Sequence, residues 1–262
     1  MPAQAPLLDI VFAVLSALLL VFLVGPLLAV LLADPHAAFV LSWGDTELLQ
    51  AIGVSIGCAA IAVLLGAVLG VPLAYLLERH EFPGKRFASA VLSLPLVIPH
   101  PVVGIALLIL FSKNKLLGSI LEGNLGIAVV SAAPGIILAM LFVSAPLVVR
   151  GAQQGFRNED ARLERIAQSL GASRLESFRS IALPLARPAI LAGMVSAMAR
   201  AASEFGSIAV LAYFPRTAPV LIWDRFTAYG LGAALPATAF LLFVTLVLFW
   251  GWTLLDRSTN DA

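Results

Sequence analysis

The chain has one cysteine, little charge and no phosphate-binding loop, and each shortage excludes a class of protein. Cys58 lies inside an apolar run, so neither an intramolecular disulfide nor a cysteine-cluster metal site is expected, only a small packed residue. Charged residues are 12% of the 262 positions, about half the share in an ordinary globular domain. With 61% hydrophobic residues and a mean hydropathy of +1.01, a water-soluble domain is excluded. No G-x-x-x-x-G-K-[ST] segment occurs; "FPGKRF" (Phe82–Phe87) lacks the earlier glycine and the hydroxyl residue, so the chain is not expected to hydrolyse ATP itself. No Ser–His or paired-Asp arrangement in the apolar runs suits a protease. No histidine cluster suits a cofactor, and His36 and His80 fall in connections without metal-ligand spacing. Residues 1–9 carry no Lys or Arg, and the run from Leu7 to Ala33 exceeds a signal-peptide core of about 7–15 residues, so it reads as a retained span.

What is present in abundance is apolar sequence in runs of the roughly 20 residues that cross a bilayer as a helix. The strict alternation of a membrane β-barrel is missing. The expectation is an all-α polytopic membrane protein, a single transmembrane domain over 1–262, with spans at about 8–33, 48–77, 87–112, 126–149, 188–213 and 234–255. The second exceeds the bilayer's need and must tilt or project. Connections begin at Asp34, Glu78, Lys113, Arg150 and Phe214. Arg79, Lys85, Arg86, Arg150, Arg157, Arg162, Arg165, Arg174, Arg179, Arg187 and Arg257 fall on one side; Lys113, Lys115, Arg216 and Arg225 fall on the other. The positive-inside rule then places both termini in the cytoplasm, with multiple passes through the cytoplasmic (inner) membrane. Proline and glycine in "SLPLVIPHPVVG" (Ser93–Gly104) and "SAAPG" (Ser131–Gly135) mark packing kinks or a bundle that rearranges.

The connection 150–187 is ordered rather than loose. Asn158 as N-cap with acids behind it starts a helix, and Leu163, Ile166 and Leu170 give that helix an apolar stripe. Gly171 supplies a left-handed stop, Ser173 to Glu176 is a capping-box pattern that restarts a short helix, and Pro184 and Pro188 close it. The apolar stripes of such an elbow need a cover, which a docked cytosolic partner would provide. Inside the fifth span, Arg200 and Glu204 sit at i and i+4 and can pair. Intramembrane charges face a bundle interior or wet cavity. The pair is either an internal bridge that fixes packing or part of a translocation path, with Glu204 and Phe205 at a gate. His100, between Pro99 and Pro101, is a packing or hydrogen-bonding residue, or alternatively a ligand contact. Tyr213, Phe214 and Trp223 read as interfacial aromatics, or the connection Phe214–Gly232 receives an external protein.

The run "LERIAQSLGASRLESFRSIALPLARP" (Leu163–Pro188) resembles the cytoplasmic "EAA" loop of ABC-importer permease subunits: Gly171, Ile181, Leu183 and Pro184 stand at the family spacing, while Arg165-Ile166-Ala167 replaces the first three letters. "LPLVIPHPVVGIALLILF" (Leu94–Phe111) and "ARAASEFGSIAVLAYFP" (Ala199–Pro215) resemble the molybdate, tungstate and sulfate branch, and "TAPVLIWDRFTAYGLGAALP" (Thr217–Pro236) is similar to archaeal-type molybdate/tungstate permeases. The resemblance implies a type I importer fold and a coupling helix seated in an ATPase subunit, carried by Glu164, Ala167, Gly171, Ala172, Ser173, Leu183 and Pro184. Implied partners are a second permease copy, two ATPase subunits that bind ATP and Mg, an external substrate-binding protein and the lipid bilayer, with no nucleic acid. The implied substrate is molybdate or tungstate, with sulfate or thiosulfate the alternative. An ion-gradient-driven secondary transporter is a less fitting class, since it would carry several intramembrane acids or broken helices in both halves.

Overall fold

The computed structural model describes the backbone of residues 5–33 and 42–260 and the side chains of 8–33 and 42–247. The connection opening at Asp34, with His36, lies outside the described residues as far as residue 41. Among the described residues the chain is helical throughout, without strands. The helices are α1 (Ala5–Ala33), α2 (Thr46–Arg79), α3 (Lys85–Val91), α4 (His100–Phe111), α5 (Leu116–Gly118), α6 (Ala133–Asn158), α7 (Ala161–Ser169), α8 (Arg174–Ser177), α9 (Leu183–Ala202), α10 (Gly206–Leu211), α11 (Ala218–Tyr229) and α12 (Leu231–Asn260). Contacts divide the chain into two compact units, residues 1–52 with 221–262 and residues 53–220.

Among the described residues, four helical stretches have the length and apolarity of a membrane span: Leu8–Ala33, Thr46–Arg79, Ala133–Asn158 and Arg174–Ala202. Three expected spans depart from the simple picture. The one placed at 87–112 is broken: α3, a 3-10 turn at Leu94–Leu96 and α4 form a pair bent by 113°. Pro99, extended at ψ 132°, stands at the break, where its ring removes a donor and bars helical continuation. The one placed at 126–149 begins late, at Ala133, and runs on to Asn158. Pro134 fits only a first helical turn, so "SAAPG" is a helix start and not a mid-span kink. The one placed at 188–213 ends at Ala202, breaks at 203–205 and resumes as α10. Helix α12, Leu231–Asn260, takes in the span expected at 234–255.

In the first unit, α1 packs on α12, and its large apolar side chains face outward along its whole length, Phe22 at 73% exposed. Trp43 meets Phe240 edge-on at 5.4 Å. Asp45 caps α2 through the Leu48 N–H at 3.0 Å and accepts from Arg225 Nη1 at 2.5 Å, and this guanidinium hydrogen bond holds the Asp45 carboxyl below the usual carboxylate range.

In the second unit, α6 and α9 form an antiparallel hairpin. Small residues let their backbones touch: a Cβ on Gly151 would sit 2.6 Å from Gly193 Cα, and one on Gly155 2.9 Å from Ala186 Cβ. Gly151 and Gly155 are the G-x-x-x-G spacing that places both on one helix face, and close backbone approach replaces the hydrophobic drive that lipid removes. Val71, Ala74, Val149, Ala152, Phe156, Ala182 and Ala186 pack at one end of the hairpin, and Met140, Ala197, Ala201 and Ile208 belong to the core at the other. Cys58 is buried in that second core, as its apolar setting foretold.

Gly151→Val forces α6 off α9 and is expected to destabilise the protein by about 1–3 kcal/mol, read as a lower melting temperature in detergent. Gly57→Ala on α2, where a Cβ meets nothing within 4 Å, should leave the melting temperature unchanged or raise it. Identical behaviour of the two variants would place the critical approach elsewhere.

Candidate functional site

Two constellations in the second unit carry the sequence-selected residues. The first is the elbow. Helix α6 runs through Asn158, so Asn158 is not the N-cap expected of it; Glu159 is extended, and Asp160 caps α7 by accepting from the Arg162 N–H at 2.8 Å. Two hydrogen bonds close α7, from Gly171 N to Gln168 O at 3.1 Å and from Ala172 N to Ala167 O at 3.0 Å. They form a Schellman motif around Gly171, whose φ of +101° is in the left-handed region. Ser173 and Glu176 then form the reciprocal capping box: Ser173 N donates to Glu176 Oε2 at 2.7 Å and Glu176 N to Ser173 Oγ at 3.2 Å.

The short helix does not stop at Pro184 and Pro188, as the sequence reading had it. A π-helical turn at Phe178–Ala182 joins α8 to α9, Pro184 falls in the first turn after it, and Arg174–Ala202 continues as one helical stretch of 29 residues. Pro184 lacks an N–H for the helix interior, and it falls where the π turn already interrupts the regular i→i−4 ladder.

Glu164 faces inward, 5% exposed. It accepts from Tyr75 Oη at 2.5 Å and from Arg79 Nε at 2.8 Å, while Arg79 Nη2 reaches Glu159 O at 3.3 Å. Tyr75 also stacks edge-on against Phe156 at 5.3 Å and Phe178 at 4.8 Å. Glu164 therefore fastens α7 to α2. The outward residues are Leu163, Ile166, Leu170 and Leu175, 44%, 56%, 83% and 56% exposed, with Ser173 and Pro184 also at the surface. Ala167, Ala172 and Leu183 are half-buried.

The second constellation sits where α9, α10 and α4 end or begin. Glu204 is 1% exposed. Its Oε1 accepts from Ser207 N at 2.9 Å and Ser207 Oγ at 2.8 Å, and its Oε2 from Arg200 Nη2 at 2.9 Å and His100 Nδ1 at 2.7 Å. A carboxylate only accepts, and Arg200 Nη2 lies 2.7 Å from His100 Nδ1 and 2.8 Å from Nε2, so the guanidinium rests against the same imidazole that meets Glu204. Arg200 and Glu204 pair as their spacing foretold, although Glu204 lies beyond the last helical residue. His100, selected from sequence as a lone residue, joins them from the start of α4. Phe205 is half-buried against the adjoining core. The helix starts fit closely: a Cβ on Gly104 would lie 2.7 Å from Ser207 O, and one on Gly206 2.9 Å from His100 Cβ.

This arrangement satisfies all of Glu204's accepting capacity while leaving His100 and Arg200 side chains 37% and 27% exposed. A cation and an imidazole thus lie partly exposed beside a buried carboxylate, an arrangement that holds three helix termini together. Among the described residues no group of three His, Cys, Asp or Glu is placed to hold a metal ion.

The family model described as "Binding-protein-dependent transport system inner membrane component" matches residues 66–261. The molybdate/tungstate transport system permease protein WtpB of Pyrococcus furiosus is 40% identical over 240 residues, 91% of each chain. A probable sulfate transport system permease protein, cysT of Nephroselmis olivacea, is 37% identical over 78% of this chain and 74% of its own. Among solved structures, a bacterial ABC transporter involved in the import of the acidic polysaccharide alginate superposes with a TM-score of 0.76 at 18% identity, over 97% of this chain and 96% of that one.

Glu204→Gln keeps the side chain's shape and removes its charge, leaving Arg200 without its partner. The expected cost is about 3 kcal/mol or more, measured by thermal unfolding. Combined with Arg200→Met, the loss should fall short of the sum by about 1–3 kcal/mol. Strictly additive losses would show that the two side chains are not coupled.

Proposed function

Because the chain belongs to the family of binding-protein-dependent transport system inner membrane components, and is the permease of an ABC importer, we propose that its substrate is a tetrahedral oxyanion, molybdate or tungstate. The observation that carries this reading is the match to permeases named for molybdate and tungstate, 39–40% identical over 91% of this chain. Sulfate-named relatives align over shorter or more divergent stretches, 32–37% identical, so sulfate ranks second. The chain sits in the cytoplasmic membrane with both termini and the elbow inside, as its basic residues are distributed. Two copies form the path about a two-fold axis. Two ATPase subunits below bind ATP and Mg, and a binding protein delivers the anion from outside.

A dianion cannot enter hydrocarbon, so the path opens to one side at a time, and a ligand shifts such a two-state element only by its differential affinity for the states. ATP closing the ATPase pair supplies the bias, and the elbow receives it. Leu163, Ile166, Leu170 and Leu175 are the apolar contacts for the ATPase groove. Glu164 and Tyr75 keep the elbow rigid against α2 and α6. From Arg174 to Ala202 the helical stretch is roughly 43 Å long at 1.5 Å per residue. Its far end bears Arg200, one leg of the Glu204 junction. A push on the elbow therefore reaches the junction through one rod. Arg200, already paired, suits transient contact with an anion rather than a deep binding pocket.

Replacing Gly171 by Val strains a left-handed position and misdirects the elbow. In the reconstituted complex it is expected to abolish oxyanion import while ATP hydrolysis by the partner persists, measured as tungstate uptake per ATP consumed. If vesicles holding this chain alone accumulate oxyanion on a proton or sodium gradient, the reading fails.

A further inference from the structure

Helix α6 has a second face that the junction and the elbow leave unused. Arg150, Gln153, Gln154, Arg157 and Asn158 recur at spacings of three and four, so they share one side of the helix, and together they line an open cleft of about 480 Å³. The flank beside it carries Gly151 and Gly155 against α9. The cleft holds two guanidiniums and three carboxamides, which are donors suited to an anion.

Its charge is unevenly balanced. Glu78 accepts from Arg157 Nη2 at 2.9 Å and from Gln153 Nε2 at 3.2 Å, so Arg157 is neutralised and Gln153 is oriented. Arg150 meets only the Ser93 hydroxyl, at 3.2 Å, with no carboxylate against it among the described residues. One net positive charge is left, on an exposed side chain beside amide donors. Its depth is informative too. From Ala133 to Arg150 the helix climbs roughly 26 Å, close to the hydrocarbon thickness of a bilayer. Arg150 thus stands where a solute leaving the membrane first meets water. Ser93 belongs to the broken segment between α3 and α4, so the cleft also abuts a part of the path that bends.

We propose that the Arg150 face of α6 is an oxyanion-binding site at the cytoplasmic mouth of the path, with Arg150 as the charged contact and Gln154 as an amide donor. This rests on the oxyanion reading of the preceding subsection. The Glu204-paired Arg200 lets an anion pass, and the unpaired Arg150 holds it on the inner side before release. The site fills from the cytoplasm when the anion accumulates there, which gives the product a place to occupy the inward-open state.

The test is equilibrium binding of radiolabelled tungstate to the permease–ATPase complex, purified without its external binding protein. Arg150→Met is expected to weaken binding roughly tenfold or more, as loss of a charge-assisted contact does. Arg150→Lys should restore most of it, and Lys113→Gln, at the opposite membrane boundary, should change nothing. Should Arg150→Met fail to assemble, Gln154→Leu reads the same cleft, with several-fold weaker binding expected. Undiminished binding in the assembled Arg150 or Gln154 variants overturns the site, as does absence of binding to a wild-type complex that imports tungstate. Arg150-dependent binding by a complex that imports no oxyanion would keep the site and remove the substrate reading, so the two stand or fall separately.

Discussion

A single buried carboxylate makes the broken membrane helices possible. A chain that stops being helical inside a bilayer exposes N–H and C=O groups to a solvent that cannot bind them. At 203–205 the cost is met by Glu204, which takes the Ser207 N–H and hydroxyl on one oxygen and Arg200 and His100 on the other. The charge also suits its place: it lies at the N-termini of α10 and α4, where helix dipoles favour an anion, while Arg200 stands in the last turn of α9, where they favour a cation. Gly104 and Gly206 contribute by being small enough for the two helix starts to close on this carboxylate. Without the junction, α4, α9 and α10 would have no common point.

From that point the mechanics follow. Helix α9 is held along its length by the glycine contacts with α6 and at its base by the aromatic cluster of Tyr75, Phe156 and Phe178. The π-helical turn at Phe178–Ala182 is what lets helical structure pass through the proline-containing segment without a hinge. Stiffness is concentrated in the rod between elbow and junction, and breaks are concentrated at the junction itself. In the proposed coupling, movement delivered below would be expressed above, where backbone continuity is interrupted.

The parts legible in the sequence were those decided within a few residues. The Schellman stop at Gly171 and the Ser173–Glu176 box depend on groups no more than five positions apart, and both stand as read. The Arg200–Glu204 pair was legible for the same reason. Apolar mass placed the spans but not their interruptions, because hydropathy is indifferent to backbone direction; Pro99 and Pro134 carried that information, and each is compatible with a kink, a break or a helix start until tertiary partners decide. His100 could not be joined to Glu204 from sequence, since 104 positions separate them. Glu164 was assigned to the coupling contact by resemblance alone, and its burial could not be read because Arg79 and Tyr75, which draw it in, belong to another helix. The Gly151–Gly155 spacing was a usable signal that went unread, because span 126–149 ended before it and the helix does not.

On the proposed route the two arginines differ in what neutralises them, and this difference sets what each can do there. Attraction between opposite charges strengthens as water is excluded, so an unpaired cation deep in the bundle would hold a dianion too firmly for transport. Arg200, compensated by Glu204, presents donors with little net charge where α4, α9 and α10 meet. Arg150 carries its full charge at the membrane boundary, where water weakens the attraction and a bound anion can leave. A path needs affinity enough to enter and weakness enough to release. Placing the compensated arginine inside and the uncompensated one at the mouth meets both demands with the same residue type.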